Sequence, residues 1–361
     1  MKRVSILALL AAAALVSTAL LSTTFAQNTA MRIYWIDAEG GAATLFISPS
    51  GESMLFDTGF KVGDRDAKRI YATAQAAGLK QIDHVVISHW HEDHEGGLAA
   101  LSKMIPMGHF YDHGNGVEEA DRARLEDYKR VAGAKRTIVK PGDTIPLPGV
   151  KVQVVSSEGP VIANAINGGG PNPLCTNAPQ MSAAGPENQR MVGLLITYGK
   201  FRLLSLADLD WQKEMELSCP TNKVGQVTVY TVSRHGGLDD SGAPAFVGAI
   251  RPQVTVVNNG PKKGLGQKDD RAKPITIPNV APYEKNSYLR LAKNPGIEGI
   301  WQLHLSLVDQ DPAHNTARDM IANFEDTTDC KGYGISASIG ADGKFTLTNG
   351  RNGFSKSYTA R

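Results

Sequence analysis

The 361-residue chain is 42% hydrophobic and 20% charged, which provides enough apolar side chains for a folded core and excludes an intrinsically disordered protein. Removing residues 1–26 takes away Lys2 and Arg3 and no acid, which leaves 36 basic and 36 acidic side chains. This neutral balance does not support nucleic acid as a partner, because it gives no overall attraction for phosphate backbones. A basic run over residues 262–273 leaves a local contact with nucleic acid open, although Asp269 and Asp270 interrupt it and favour a solvated loop.

The N-terminal segment has the three parts of a secretory signal. Lys2 and Arg3 precede a mainly apolar run over residues 4–21, and the small residue Ala26 follows it. We therefore predict a signal peptide over residues 1–26, a periplasmic or secreted mature chain, and no stable membrane insertion after cleavage. An uncleaved membrane anchor is the alternative.

Three cysteines, Cys175, Cys219 and Cys330, would enter that oxidising compartment. One disulfide with one thiol left over is the simplest arrangement, and the sequence leaves all three pairings open.

Strands and helices alternate in the first half of the mature chain, which favours a layered α/β fold. The patterns predict strands at 32–37, 43–48, 82–88, 109–111, 137–139 and 150–155, a further strand ending at Phe56, and helices at 64–77, from near Gly96, and at 117–132.

The second half begins with a loop over residues 156–190 that is rich in glycine, proline and asparagine. A hairpin over 191–206 follows, with Asp208 at its exit. The remaining predictions are strands at 227–232, 252–257 and 301–306, helices at 211–217 and 313–324, loops at 233–237 and 261–280, and a final hairpin over 335–348. We predict one domain over residues 27–260, with residues 261–361 adding an insertion and strands that complete it.

Three imidazoles and a carboxylate lie within six residues, directly after the predicted strand at 82–88. They are His89, His91, Asp93 and His94, and Gly96 and Gly97 follow them. Histidine and carboxylate side chains are the ligands of catalytic metal sites, and the two glycines would allow close packing behind the loop. The segment therefore predicts a metal centre at the carboxyl end of a strand.

This segment resembles the HxHxDH signature of the metallo-β-lactamase superfamily, and residues 32–260 follow that family's order of motifs. Asp57, in Asp57-Thr58-Gly59, looks like the carboxylate that braces the metal loop. Asp208 resembles the carboxylate that bridges two metals, although Ala207 stands where glycine is usual, and His235 resembles the last ligand. The resemblance is closest to the DNA-uptake-channel branch. It implies a four-layer αββα sandwich, here with a C-terminal β-hairpin extension, and two zinc ions, with a single ion as the alternative.

One departure concerns the first metal. Metallo-β-lactamases carry a further histidine before the hairpin, where this chain has Asn188. The resemblance then implies that Asp93, His94 and His235 hold one ion, whereas His89 and His91 hold the other with only Asp208 and solvent. His113, after the next strand, is a further candidate for ligation or substrate contact.

The implied reaction is hydrolysis by a metal-bridging hydroxide that Asp93 orients, with Asn188, His113 or Arg234 stabilising the developing oxyanion. The leading substrate is a phosphodiester or another small molecule. A lactonase or β-lactamase and a non-catalytic metal-bearing binding protein are the alternatives. The sequence predicts no oligomeric state.

Overall fold

Nineteen strands are present in the part of the chain that the computed structural model describes, which is residues 30–237, 240–268 and 271–361. In chain order they are β1 (Met31–Trp35), β2 (Thr44–Ile47), β3 (Ser53–Phe56), β4 (Ile82–Val86), β5 (Met107–Asp112), β6 (Arg136–Ile138), β7 (Thr144–Ile145), β8 (Lys151–Ser156), β9 (Gln180–Met181), β10 (Gly193–Tyr198), β11 (Phe201–Ser205), β12 (Val229–Thr231), β13 (Val254–Val257), β14 (Pro274–Ile275), β15 (Gly299–His304), β16 (Ile321–Asn323), β17 (Ile335–Ile339), β18 (Lys344–Asn349) and β19 (Ser355–Thr359). The predicted signal peptide lies outside the described residues.

Two large sheets pack face to face. The first has the strand order β19-β18-β17-β1-β2-β3-β4-β5-β6 and the second has the order β16-β15-β13-β12-β11-β10-β8-β7. Apolar residues from both sheets form the central core, and the indole Nε1 of Trp35 donates to Thr231 Oγ1 across it at 2.9 Å. This buried hydrogen bond satisfies the indole N–H where water is excluded.

Helices cover the outer face of each sheet. Those against the first sheet are Arg65–Ala76, Leu98–Leu101 and Glu119–Ala132, and those against the second are Trp211–Ser218, Pro244–Ile250 and Ser287–Ala292. The Arg65–Ala76 helix buries Ala67, Ile70 and Ala74, a spacing that places one apolar stripe on the sheet. Helix, sheet, sheet and helix therefore form four layers, and the predicted αββα sandwich is confirmed.

The C-terminal strands extend the first sheet. β17 pairs antiparallel with β1, and β18 and β19 continue outward from it. The predicted hairpin is β17–β18, and Gly343 adopts φ 89° in its turn. The strand β19 was not predicted.

The helix predicted over residues 313–324 is wrong. That segment contains two short 3-10 turns, Pro312–His314 and Arg318–Met320, and then β16. β16 pairs in parallel with β15 and buries all three of its residues, so pairing with a buried neighbour outweighs local helix propensity. The helices Pro244–Ile250 and Ser287–Ala292 were also missed.

The long loop over residues 156–190 is tied to the second sheet's helices. A disulfide joins Cys175 to Cys219, which directly follows the Trp211–Ser218 helix, and Cys330 is free and buried. None of the helices among the described residues is both long and apolar enough to cross a membrane.

Candidate metal centre

Polar side chains follow four neighbouring strands at one edge of the sandwich. Asp57 follows β3, the segment His89–His94 follows β4, Asp208 follows β11 and His235 follows β12. Since β3 and β4 are parallel, and β11 and β12 are also parallel, each pair delivers its polar residues to the same end. Ligands in open α/β sheets bind at such carboxyl ends.

The segment after β4 is extended only as far as His91. A single helical turn, Glu92–Glu95, then carries Asp93 and His94. The helix predicted to begin near Gly96 follows as Leu98–Leu101, with Gly97 as its N-cap. A Cβ on Gly97 would lie 2.1 Å from the Thr58 carbonyl oxygen, and one on Gly96 would lie 2.7 Å from the Lys61 nitrogen. The close packing expected of the two glycines is therefore present.

Four predicted ligands form one tight group. The ligand atoms of Asp93, His94, Asp208 and His235 all lie within 4.8 Å of one another. Asp208 Oδ1 is 3.2 Å from His94 Nε2 and 3.1 Å from His235 Nε2, and Asp93 Oδ2 is 2.9 Å from His235 Nε2. All four residues are buried.

The donor atoms of this group fit a cation. His94 Nε2, His235 Nε2 and Asp208 Oδ1 are buried and make no hydrogen bond of acceptable geometry within the described residues. A buried polar atom without a partner costs free energy of folding, so three such atoms that converge on one point indicate a binding site for a ligand or ion. Two imidazoles and two carboxylates are also the donor types that suit a divalent metal.

The pKa values reflect the same crowding of charge. Burial lowers the pKa of His94, but Asp93, Asp208 and Asp57 outweigh it and raise that pKa well above the usual value. Burial raises the pKa of Asp208, but His235 and His94 outweigh it and hold that pKa well below the usual range. Burial also raises the pKa of Asp93, but Lys263 and His94 outweigh it and hold that pKa well below the usual range. Both carboxylates of the group are therefore ionised, as ligation of a cation requires.

Asp57 braces the ligand segment, as its resemblance implied. Its Oδ1 accepts from the Ser88 backbone N–H at 2.7 Å, and its Oδ2 accepts from Ser88 Oγ at 2.8 Å. Its Oδ2 also lies 2.8 Å from His94 Nδ1. With its Nδ1 proton directed at this carboxylate, His94 presents Nε2 to the centre.

The turn after β12 is fixed by a buried network. The Ser233 backbone N–H donates to the Tyr230 hydroxyl at 3.0 Å, and that hydroxyl donates to Glu214 Oε1 at 3.1 Å. Burial raises the pKa of Glu214 to about 8. Arg234 and His235 adopt φ 50° and 58°, and the Arg234 guanidinium pairs with Asp240 at 2.7 Å. Arg234, proposed from its position to stabilise an oxyanion, is thus already bound to a carboxylate.

His89 and His91 lie beside the tight group and are not members of it. His89 Nε2 is 3.0 Å from His91 Nδ1, and the His89 ring centroid is 4.1 Å from that of His94. Burial lowers the pKa of both, which favours the neutral imidazole that binds metal. His91 Nε2 also lies 3.7 Å from Glu118 Oε2, a carboxylate that no sequence motif distinguishes.

Asn188 and His113 do not join the tight group. Asn188 is fully buried, and both polar atoms of its amide lack a hydrogen-bond partner within the described residues. His113 Nε2 lies 2.8 Å from Glu187 Oε1, and Glu187 also accepts from the backbone N–H groups of Trp90 and Val117. His113 therefore contacts a carboxylate that orders the ligand segment. Glu187 was missed because nothing in its sequence context distinguishes it.

Lys263 differs most from its predicted role. The sequence favoured a solvated loop for the basic run over residues 262–273, but this lysine contacts the centre. Its Nζ lies 2.5 Å from Asp93 Oδ2, at the edge of the tight group. A residue separated from Asp93 by 170 positions gives no local signal of this contact.

A second group, made of Asp37, His304 and Cys330, also has its ligand atoms within 4.8 Å. Asp37 already accepts from Arg69 at 2.9 Å and lies 2.8 Å from His304 Nε2. Because the guanidinium supplies a positive charge here, we regard this group as structural.

The αββα sandwich with histidines and aspartates at one edge is the fold of metal-dependent hydrolases. Residues 37–177 match the family model described as the metallo-beta-lactamase superfamily, in agreement with the resemblance of the ligand segment. The match includes His89, His91, Asp93 and His94. Asp208 and His235 lie beyond it and join Asp93 and His94 in the folded chain.

The similar proteins match only part of this chain. Competence protein ComA of Neisseria gonorrhoeae is 24% identical over 236 residues, which is 65% of this chain and 28% of that protein. Integrator complex subunit 11 of Gallus gallus is 30% identical over 112 residues, which is 29% of this chain and 17% of that protein. The chain thus spans less than a third of the length of either relative. The metallo-beta-lactamase fold protein YhfI of Bacillus subtilis is 13% identical, with 75% of this chain and 96% of that chain covered and a TM-score of 0.43.

Proposed function

We propose that this chain is an exported hydrolase that uses zinc, in two ions, to cleave phosphodiesters. The observation that carries the proposal is the buried group of Asp93, His94, Asp208 and His235, whose converging donor atoms include three without hydrogen-bond partners among the described residues. Asp93, His94 and His235 would hold one ion, His89 and His91 the other, and Asp208 would contact both.

Divalent cations held in this way lower the pKa of a bound water molecule towards neutrality and so supply a nucleophile. The chain's own residues position the reaction. Asp57 fixes the direction of His94. Asp93 would accept a hydrogen bond from the attacking water and orient it. Asn188 has a buried amide without a hydrogen-bond partner among the described residues, and it would donate to the oxygen on which negative charge develops.

A phosphodiester is favoured over a lactone or a β-lactam for two reasons. Asn188 stands where the β-lactamases have a third histidine for the first metal, as in the DNA-uptake branch that the sequence resembles. Lys263 adds a positive charge at the edge of the centre, and phosphodiesters carry a negative charge in the reacting group itself.

The function is tested with purified mature protein, first stripped of metal and then loaded with zinc. We expect about two zinc ions per chain and hydrolysis of bis(4-nitrophenyl) phosphate, with little turnover of a chromogenic cephalosporin or lactone. Chelation should abolish the activity and zinc should restore it. Turnover of the lactone or cephalosporin alone would transfer the proposal to those substrates, and turnover of none of them with metal bound would favour a binding protein.

Export is the second element of the proposal, and the disulfide between Cys175 and Cys219 supports it, because such bonds persist in oxidising compartments. Protein recovered from the periplasm or medium should begin near Gln27. Thiol titration after denaturation without reductant should find one group, Cys330. A recovered chain that begins at Met1, or one with three titratable thiols, would contradict export by this route.

A further inference from the structure

Lys263 places an ammonium group at the metal centre. Its Nζ contacts Asp93 Oδ2 at 2.5 Å, and the same oxygen lies 2.9 Å from His235 Nε2. The Lys263 side chain remains 31% exposed, whereas that of Asp93 is 12% exposed. The lysine therefore lies on the solvent side of the group, where a substrate would approach.

The backbone around Lys263 is fixed by close contacts, so this placement is built into the fold. The Gly260 backbone N–H donates to the Lys263 carbonyl oxygen at 2.9 Å. A Cβ on Gly40 would lie 2.9 Å from Lys263 Cβ, and one on Gly264 would lie 1.8 Å from the His235 carbonyl oxygen. The Lys263 Nζ also lies 5.2 Å from the centre of the Phe60 ring, and this cation–π contact helps to position the ammonium group.

The Asp93 carboxylate can be neutralised by the Lys263 ammonium or by a metal ion, but not by both at once. Asp93 is a predicted metal ligand, and without a metal the Lys263 ammonium neutralises it. A divalent cation that binds Asp93 repels the ammonium and competes for the same oxygen. The backbone of Lys263 then stays in place, its side chain remains partly exposed, and its ammonium group no longer pairs with Asp93.

We propose that Lys263 is an anion-binding residue of this centre, which releases Asp93 when a cation binds there and then holds a negatively charged oxygen of the substrate. An ammonium suits this role, because it binds phosphate oxygens as a point charge from several directions. The substrate class rests on the proposed phosphodiesterase function, but the binding measurements below do not depend on turnover.

The experiment compares the parent with Lys263→Ala, Lys263→Arg and Lys262→Ala. Lys262 is the matched control, because it is the adjacent lysine, its side chain is 74% exposed and it pairs with Asp326, away from the centre. Zinc affinity is measured by competition with a chromogenic chelator. Binding of inorganic phosphate to the zinc-loaded protein is measured by calorimetry.

Lys263→Ala should bind zinc more tightly, because the competing ammonium is gone. It should bind phosphate about tenfold more weakly or worse, which is the effect of losing one charge-assisted hydrogen bond. Lys263→Arg should keep most of the phosphate affinity, and Lys262→Ala should match the parent in both measurements. A folding defect would weaken both ligands together and would not give these opposite changes.

Unchanged phosphate affinity in Lys263→Ala would overturn the proposal, as would equal losses in Lys263→Ala and Lys262→Ala. If the parent cleaves no phosphodiester but Lys263→Ala loses phosphate affinity selectively, the anion-binding role holds and the proposed substrate fails. The two proposals are thus separated by the same set of proteins.

Discussion

Asp208→Ala should remove most of the bound metal and lower hydrolysis of bis(4-nitrophenyl) phosphate by about three orders of magnitude or more, since the reaction depends on both ions. Asp208 Oδ1 lies between His94 and His235, at 3.2 and 3.1 Å from their Nε2 atoms. Without this carboxylate, the two imidazoles lose the negative charge that would compensate a cation between them. Metal content by elemental analysis and initial rates on the purified variant are the measurements.

Asp208→Asn is the companion variant, because it keeps the shape of the side chain and removes its charge. Both variants should retain a parental far-ultraviolet circular dichroism spectrum. Two metals and near-parental rates in Asp208→Ala would show that Asp208 does not bridge the ions and that the alignment of the hairpin exit with the family is wrong.

Asp57→Asn should weaken zinc binding by about 10- to 100-fold, the usual effect of losing a carboxylate that orients a ligating histidine. Asp57 accepts from Ser88 through both oxygens and also contacts His94 Nδ1. An asparagine amide has one oxygen for these donors, and its NH₂ group would face one of them. The variant therefore loses both the charge and the orientation of His94.

Asp66→Asn provides the control for Asp57→Asn. Asp66 is equally buried and accepts from the Phe60 backbone N–H and from Arg65, but it contacts none of the predicted ligands. Both variants should lose stability in urea unfolding, by about 1–3 kcal/mol for a disrupted buried hydrogen-bonded group. Only Asp57→Asn should lose zinc affinity, and equal zinc affinities in the two variants would reduce Asp57 to a purely structural role.

Local patterns in the sequence were sufficient for the strand that precedes the ligands and for the ligand segment itself. Three histidines and an aspartate within six residues after an apolar strand are a local signal, and the fold places Asp93 and His94 together as expected. The hairpin exit at Asp208 was predictable for the same reason, because two strands with a two-residue turn have a short repeating pattern.

Contacts between distant residues were not predictable in this way. Lys263 reaches Asp93 across 170 positions, and Glu187 reaches His113 across 74, so neither contact has a sequence signature. β16 was predicted as a helix because its pairing with β15 depends on the assembled sheet. Local composition describes what a segment prefers alone, whereas these features depend on what the fold places beside it.

Three of the turns at the centre share an uncommon backbone conformation. Asp57, Ala207 and His235 have φ of 64°, 46° and 58°, in the left-handed region where a side chain costs about 1–2 kcal/mol. Folding imposes this strain before any ion binds, so the centre is preorganised. The spacing of the donor atoms is therefore set by the fold and not by the cation. Ionic radius and coordination geometry then decide which metal binds, because ligands held by a rigid backbone cannot shift to fit an ion of a different size.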